Sequence, residues 1–254
     1  MATSPFDAIL KTFAPISLEQ MDNVQLLNRV DRKYILPIDR LAEFFKNVSQ
    51  DYFVLDIKGN RTFSYDTTYY DTEDFQFYKD HHNGLTHRLK VRYRVYKESN
   101  LHFFEIKKKI KGYRTDKYRE LLAKFNFDMD DEHSDKVRES YNRKPFDNLK
   151  IALYNRFSRI TMVNKGMTER CTVDFDIAFS SNKETWIAQS NIAIIEIKQN
   201  KASQSPVVNI LRQMRIYSSS ISKYVLGLIL TQKNIKHNAF KFLLHKLEKI
   251  KKIA

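Results

Sequence analysis

The chain has 254 residues, 42% of them hydrophobic, with only 5 Gly and 5 Pro and a formal net charge of +14. That composition fits one domain with a substantial core and excludes a linker-divided or disordered chain; the cation excess calls for an anionic partner such as nucleic acid, nucleotide, polyphosphate or an acidic membrane surface. The single Cys171 excludes an internal disulfide and suits a reducing cytoplasm, and no apolar run approaches the roughly 20 residues of a membrane span.

Taken in order, residues 5–28 read as an N-terminal helix with Ser17 and Gln20 spaced as a capping box and Leu18, Met21, Val24 and Leu27 as its stripe. RVDRKYILP (29–37) reads as a first strand that Pro37 ends, and DRLAEFFKNVSQ (39–50) as a helix capped by Asp39. Residues 52–57 and 61–70 form a hairpin pattern about Gly59-Asn60. YYDTEDFQFYKD (69–80) is either an acidic cation loop or an Asp-rich turn that opens a helix.

Residues 85–96, LTHRLKVRYRVY, carry the central pattern. Strand side chains alternate between faces, so Arg88, Lys90, Arg92 and Arg94 share one face and Leu89, Val91, Tyr93 and Val95 the other. The hairpin partner, 101–111, repeats it: Glu105, Lys107 and Lys109 oppose Phe104, Ile106 and Ile110, and Lys111-Gly112 closes the strand. YRTDKYR (113–119) adds Arg114, Lys117 and Arg119, and 128–142 reads as a polar helix.

Residues 152–163 form a strand in which Arg156, Ser158 and Ile160 alternate with Phe157, Arg159 and Thr161. After a turn at Gly166, RCTVDFDI (170–177) sets Arg170, Thr172, Asp174 and Asp176 against Cys171, Val173, Phe175 and Ile177. IIEIK (194–198) sets Glu196 and Lys198 against Ile195 and Ile197. Ser205-Pro206 starts a helix to about Tyr217, 218–224 reads as a loop, and YVLGLIL (224–230) as a buried strand. Residues 235–254 form a basic amphipathic helix, which either packs on the body or faces acidic lipid.

Two architectures satisfy the recurring charged faces: a sandwich with solvated charges, or a barrel with a charged lumen. A charged lumen needs water and a counter-charged ligand. For Arg and Lys that ligand is a polyanion, and interspersed acids fit a divalent metal bridging phosphate oxygens. Gly-rich phosphate loops, zinc spacings and sequence-specific nucleic-acid motifs are absent from the sequence.

RVDRKY (29–34), KVRYRVY (90–96), FFEIKKK (103–109), YNRFSR (154–159), RCTVDFD (170–176), IIEIK (194–198) and SISKYVLG (220–227) come in one order. In that order the chain resembles the catalytic domain of the vacuolar transporter chaperone (VTC) family of polyphosphate polymerases, within the triphosphate tunnel metalloenzyme superfamily. The resemblance runs from about Arg29 to Leu230 and implies an α+β fold: an antiparallel β-tunnel with a charged lumen, packed by helices outside; with no linker in the composition, the chain reads as a single domain over 1–254. It implies that Lys33, Arg92, Arg94, Lys107, Arg156, Arg170 and Lys223 clamp phosphates, with Arg88, Lys90, Lys109, Lys117, Arg119, Tyr154, Lys198 and Ser222 lining the substrate path. Glu196, joined by Glu105, would hold Mn²⁺ or Mg²⁺. The superfamily's Glu-x-Glu-x-Lys start is here Arg29-Val30-Asp31-Arg32-Lys33, which suits the polymerase branch. The expected activity is transfer of the ATP γ-phosphoryl group to polyphosphate; the alternatives are a triphosphatase of the same fold and a non-catalytic polyphosphate or nucleic-acid binder.

Overall fold

The computed structural model describes residues 4–24, 29–110, 115–124, 128–141, 143–200 and 204–253; Leu27, Lys111, Gly112, Arg114 and the side chain of Arg29 lie outside the described residues. Among these, eleven strands join one sheet. They are β1 (Ala14–Ile16), β2 (Arg29–Pro37), β3 (Tyr52–Leu55), β4 (Phe63–Thr72), β5 (Leu89–Tyr96), β6 (Leu101–Lys109), β7 (Thr115–Leu122), β8 (Leu149–Asn164), β9 (Glu169–Ser180), β10 (Ile187–Gln189) and β11 (Ile192–Asn200). The helices are α1 (Asp7–Leu10), α2 (Leu18–Asp22), α3 (Leu41–Val48), α4 (Gln76–His82), α5 (Asp131–Ser140), α6 (Pro206–Gln213), α7 (Lys223–Thr231) and α8 (Lys241–Ile253). The class is α+β, as expected.

The main path runs β2-β11-β9-β8-β4-β5-β6-β7, antiparallel at each step. Residues opposite each other on neighbouring strands share a face. Glu196 opposes Lys33 and Thr172, and Lys198 opposes Asp31 and Arg170. Arg159 opposes Asp174 and Phe63. Thr67 opposes Arg94 and Asn155. Glu105 opposes Arg92 and Arg119, and Lys107 opposes Lys90 and Lys117. One face therefore gathers the charges of seven strands.

That face is concave. In a flat sheet β2 and β5 would stand about 24 Å apart, five spacings of about 4.8 Å. Yet Lys33 Nζ reaches the Ile221 carbonyl at 3.3 Å and Lys90 Nζ reaches the neighbouring Ser222 Oγ at 2.9 Å. Only a curled sheet brings both lysines to one dipeptide. Among the described residues β2 and β7 do not pair, so the curl stops short of a hydrogen-bonded barrel. The segment before α7 covers the outer edge of β2: Ser218 bridges Tyr34, and the Ser219 N–H donates to the Lys33 carbonyl at 2.7 Å.

The convex face is apolar and covered. Leu36, Ile160, Val173 and Ile195 pack against Phe44 and Phe45 of α3 and Val207 and Leu211 of α6. Tyr70, Val91, Tyr93 and Phe104 pack against Phe77 of α4 and Val137 of α5. α7 packs on Leu153 and Phe179 at one end of the concave face, with α8 in the same cluster. The approach is close enough to require Gly227, where a Cβ would lie 2.3 Å from Leu153 Cδ2 and 2.6 Å from Phe179 Cδ1.

Several local expectations change. The N-terminal helix is two short helices around β1, although the Ser17–Gln20 capping box forms. Asp39 lies in a single 3₁₀ turn, and Arg40 precedes α3. β3 and β4 do not form a hairpin; β3 pairs with β1 and β8, and Gly59-Asn60 closes a small local turn. Residues 223–231 are helical rather than a strand. A wholly apolar run gives no period to separate the two. Ser222 decides it: its Oγ accepts the Val225 N–H at 3.4 Å and opens α7. In 69–80 the Asp-rich turn forms: buried Asp71 accepts the N–H groups of Thr72, Phe77 and Tyr78 at 2.7, 2.8 and 2.9 Å.

Candidate functional site

Glu105 is the hub of the concave face. Its side chain is 2% exposed, and both oxygens meet cations. Arg92 Nε and Nη2 reach Oε2 at 2.7 and 2.6 Å, and Arg94 Nη1 stands 3.9 Å away. Lys117 Nζ reaches Oε1 at 2.8 Å, with Arg119 Nε at 3.7 Å. Burial pushes the carboxyl pKa up, but Arg92, Arg94 and Lys117 outweigh it and hold Glu105 far below the carboxylate range. A carboxylate so enclosed orients arginines. Where Glu105 is expected to share a metal, both of its oxygens face cations.

Asp174 forms a second hub. Arg159 Nε and Nη2 donate to its two oxygens at 2.5 and 2.8 Å, and Lys223 donates to Oδ2. Burial raises its pKa and the two cations lower it, to about 2. Lys223 arrives as the first residue of α7. Burial pulls its pKa down to about 8, against the pull of Asp174. Arg94 and Arg159 flank the rings of Tyr65 and Phe157, with guanidinium carbons 5.2–5.9 Å from the centroids, and Lys223 Nζ lies 4.2 Å from the Phe157 centroid.

Between the hubs stand Lys33, Lys90, Lys107, Glu196 and Lys198. Burial, then Lys33 and Arg92, hold Lys90 well below the usual lysine range. Lys107 is lowered likewise, first by Arg92 and then by burial. The acids near Lys90 and Lys107 offset this only in part, and a polyanion would supply more negative charge. Glu196 keeps its charge: burial raises its pKa, but Lys198, Lys33, Arg159 and Lys107 hold it well below the usual value. Lys198 Nζ is 3.3 Å from its Oε1. Among the described residues no group of three His, Cys, Asp or Glu side chains could hold a metal. An ionised, partly exposed carboxylate beside a surface this rich in lysine and arginine does fit Mg²⁺ or Mn²⁺, which take one or two carboxylates plus substrate phosphates.

The structure separates two expected residues from this cluster. Tyr154 opposes Thr68 and Arg156 opposes Asp66, which alternate with Thr67, so both sit on the convex side. Arg156 is exposed, with its guanidinium 4.4 Å from the Trp186 centroid, and Lys183 lies over Tyr154. Arg159 takes the inward place. The β8–β9 register shifts between Arg156 and Ser158, and no side-chain pattern announces that irregularity. Arg170 lies on the concave face at its α2 end and donates to the Met21 carbonyl at 2.9 Å. Arg88 donates to the Leu85 carbonyl at 2.7 Å just before β5, and Lys109 ends β6 on the face of Lys107. Sequence reasoning had named neither Arg159 nor Asp174 for the site. Their signal lies in the acids of β9 and in Arg159 sharing a face with Phe157, opposite to Arg156.

The sequence profile of the VTC domain matches residues 28–231. No curated protein matches the chain. Among solved structures, a putative adenylate cyclase from Vibrio parahaemolyticus is similar with a TM-score of 0.49 and 12% identity over 80% of this chain and 99% of that one. A protein from Hippeastrum, described as a putative adenylyl cyclase with a dominant triphosphatase activity, is similar with a TM-score of 0.41 and 11% identity over 83% of this chain and 100% of that one. A protein from Pyrococcus horikoshii gives 0.42 and 13% over 86% and 99%.

Proposed function

The chain belongs to the VTC domain family, and from that membership we propose that its concave face carries out polyphosphate synthesis from ATP. The bond between the γ-phosphorus and its β-bridging oxygen breaks, a bond from an acceptor phosphate oxygen to that phosphorus forms, and ADP leaves. Such transfers depend on positioning and charge neutralisation, and no protein nucleophile is called for. The observation that carries the reading is the crowd of acid-poor lysines and arginines on one concave surface, with Lys90 and Lys107 held below their usual pKa.

In this reading Lys33, Lys90 and Lys107 hold phosphate oxygens from one side, and Arg94, Arg159 and Lys223 from the other. Glu105 and Asp174 keep the arginines aimed. Glu196 would hold Mn²⁺ or Mg²⁺. When bound, the metal neutralises phosphate charge where the lysines leave off. The second reading is a triphosphatase of the same fold, in which a water takes the place of the acceptor phosphate.

The test is ATP with Mn²⁺, read on a gel for phosphate polymer and separately for free phosphate, for the wild type and Glu196→Gln. Polymer plus ADP, lost in the variant, is expected. Free phosphate without polymer supports the triphosphatase. Neither product, with polyphosphate binding intact, leaves a binding protein.

A further inference from the structure

Beyond the lysines, the concave face carries a row of rings contributed by four strands. Phe157 and Tyr65 stack at 5.2 Å with 3° between planes, Tyr65 meets Tyr96 edge-on at 4.7 Å, and Tyr96 meets Phe103 at 5.3 Å. Phe157 and Tyr65 are buried, whereas Tyr96 and Phe103 are partly open. The Arg119 guanidinium lies 3.6 Å from the Phe103 centroid and donates to Tyr96 Oη at 2.9 Å. Leu121, opposite Phe103, is 60% exposed, and Leu101, two residues from Phe103, is 42% exposed.

Large apolar side chains left in water beside a basic cleft need a partner that is apolar in one part and anionic in another. Inorganic polyphosphate has no apolar part. A nucleoside triphosphate has both. Phe103 and Lys107 lie four residues apart on β6, about 13 Å along the strand. That separation puts a planar platform at one end of a molecule whose terminal phosphate reaches the lysines. A guanidinium plane backed by a ring is a surface on which a base stacks.

We propose that Phe103, Arg119 and Tyr96, flanked by Leu121, form a nucleobase-stacking shelf that selects nucleoside triphosphates over inorganic triphosphate as the phosphoryl donor. The proposal rests on the phosphate-site reading above. Stacking is tolerant of base identity, so ATP and GTP bind alike.

The test is calorimetric binding of ATP and of tripolyphosphate to the full chain, for the wild type, Phe103→Ala and Leu121→Ser. Phe103→Ala is expected to weaken ATP about tenfold, within the range for losing one stacked ring, and Leu121→Ser to weaken it less. Tripolyphosphate binding is expected to stay unchanged in both. Equal weakening of the two ligands, or unchanged ATP binding in both variants, overturns the shelf alone. Failure of the wild type to bind tripolyphosphate overturns the phosphate site and the shelf with it.

Discussion

Replacing Glu105 with Gln separates an arginine-orienting hub from a metal ligand. The side chains of Glu105 and Arg92 are 2% and 9% exposed, so the variant leaves a buried guanidinium without its anion. Breaking a buried pair from one side costs about 3–5 kcal/mol. Lys117 and Arg119 are 38% and 36% exposed, so solvent screens their share and they add little. At about 2–4 °C per kcal/mol for a chain of this size, Tm should fall by about 6–20 °C. The pH dependence has a definite sign. The folded pKa lies below the unfolded value of about 4.3, so the stabilisation is present above that pH and is lost as pH falls toward the folded value. The gap in Tm between wild type and variant should therefore narrow below about pH 4. Thermal melts from pH 3 to 8, with and without Mn²⁺, make the measurement. An unchanged Tm with lost metal binding would refute the hub and restore Glu105 as a ligand.

Arg159→Ala should weaken tripolyphosphate binding at least about tenfold by calorimetry, while Arg156→Ala leaves it unchanged; the reverse order would overturn the register placing Arg159 inward. Asp174→Asn takes the carboxylate from the largely buried Arg159 and Lys223 and should lower stability by about 3 kcal/mol in urea titrations. Gly227→Ala forces a Cβ into Leu153 and Phe179 and should cost about 1–3 kcal/mol, measured by the same titrations, with weaker tripolyphosphate binding because α7 carries Ser222 and Lys223.

The charged faces were legible because alternation survives any sheet: Arg92, Arg94, Lys107, Glu196 and Lys198 all lie where the period-2 pattern assigns them. What alternation cannot give is the side of the sheet after an irregularity. Arg156 and Arg159 differ by three residues, so they take opposite faces, and only pairing with Asp66 or Asp174 decides which faces in. Nor does it give partners. Glu105 looked like a lone acid among lysines until β5 and β7 brought four cations to it. Residues 225–230 carry no polar side chain to mark a helix face, and the cap, Ser222, lies one residue before Lys223, inside an apparent loop.

The central claim is that this concave face is short of negative charge and takes it from a phosphate chain. Titration calorimetry with tripolyphosphate near pH 8, in buffers of different ionisation enthalpy, tests it most directly. Lys90 and Lys107 are depressed, and Lys223 sits near 8. Binding should therefore draw protons from the buffer, and Lys107→Ala should reduce both the affinity and the uptake. Binding without proton uptake and indifferent to Lys107→Ala would contradict it.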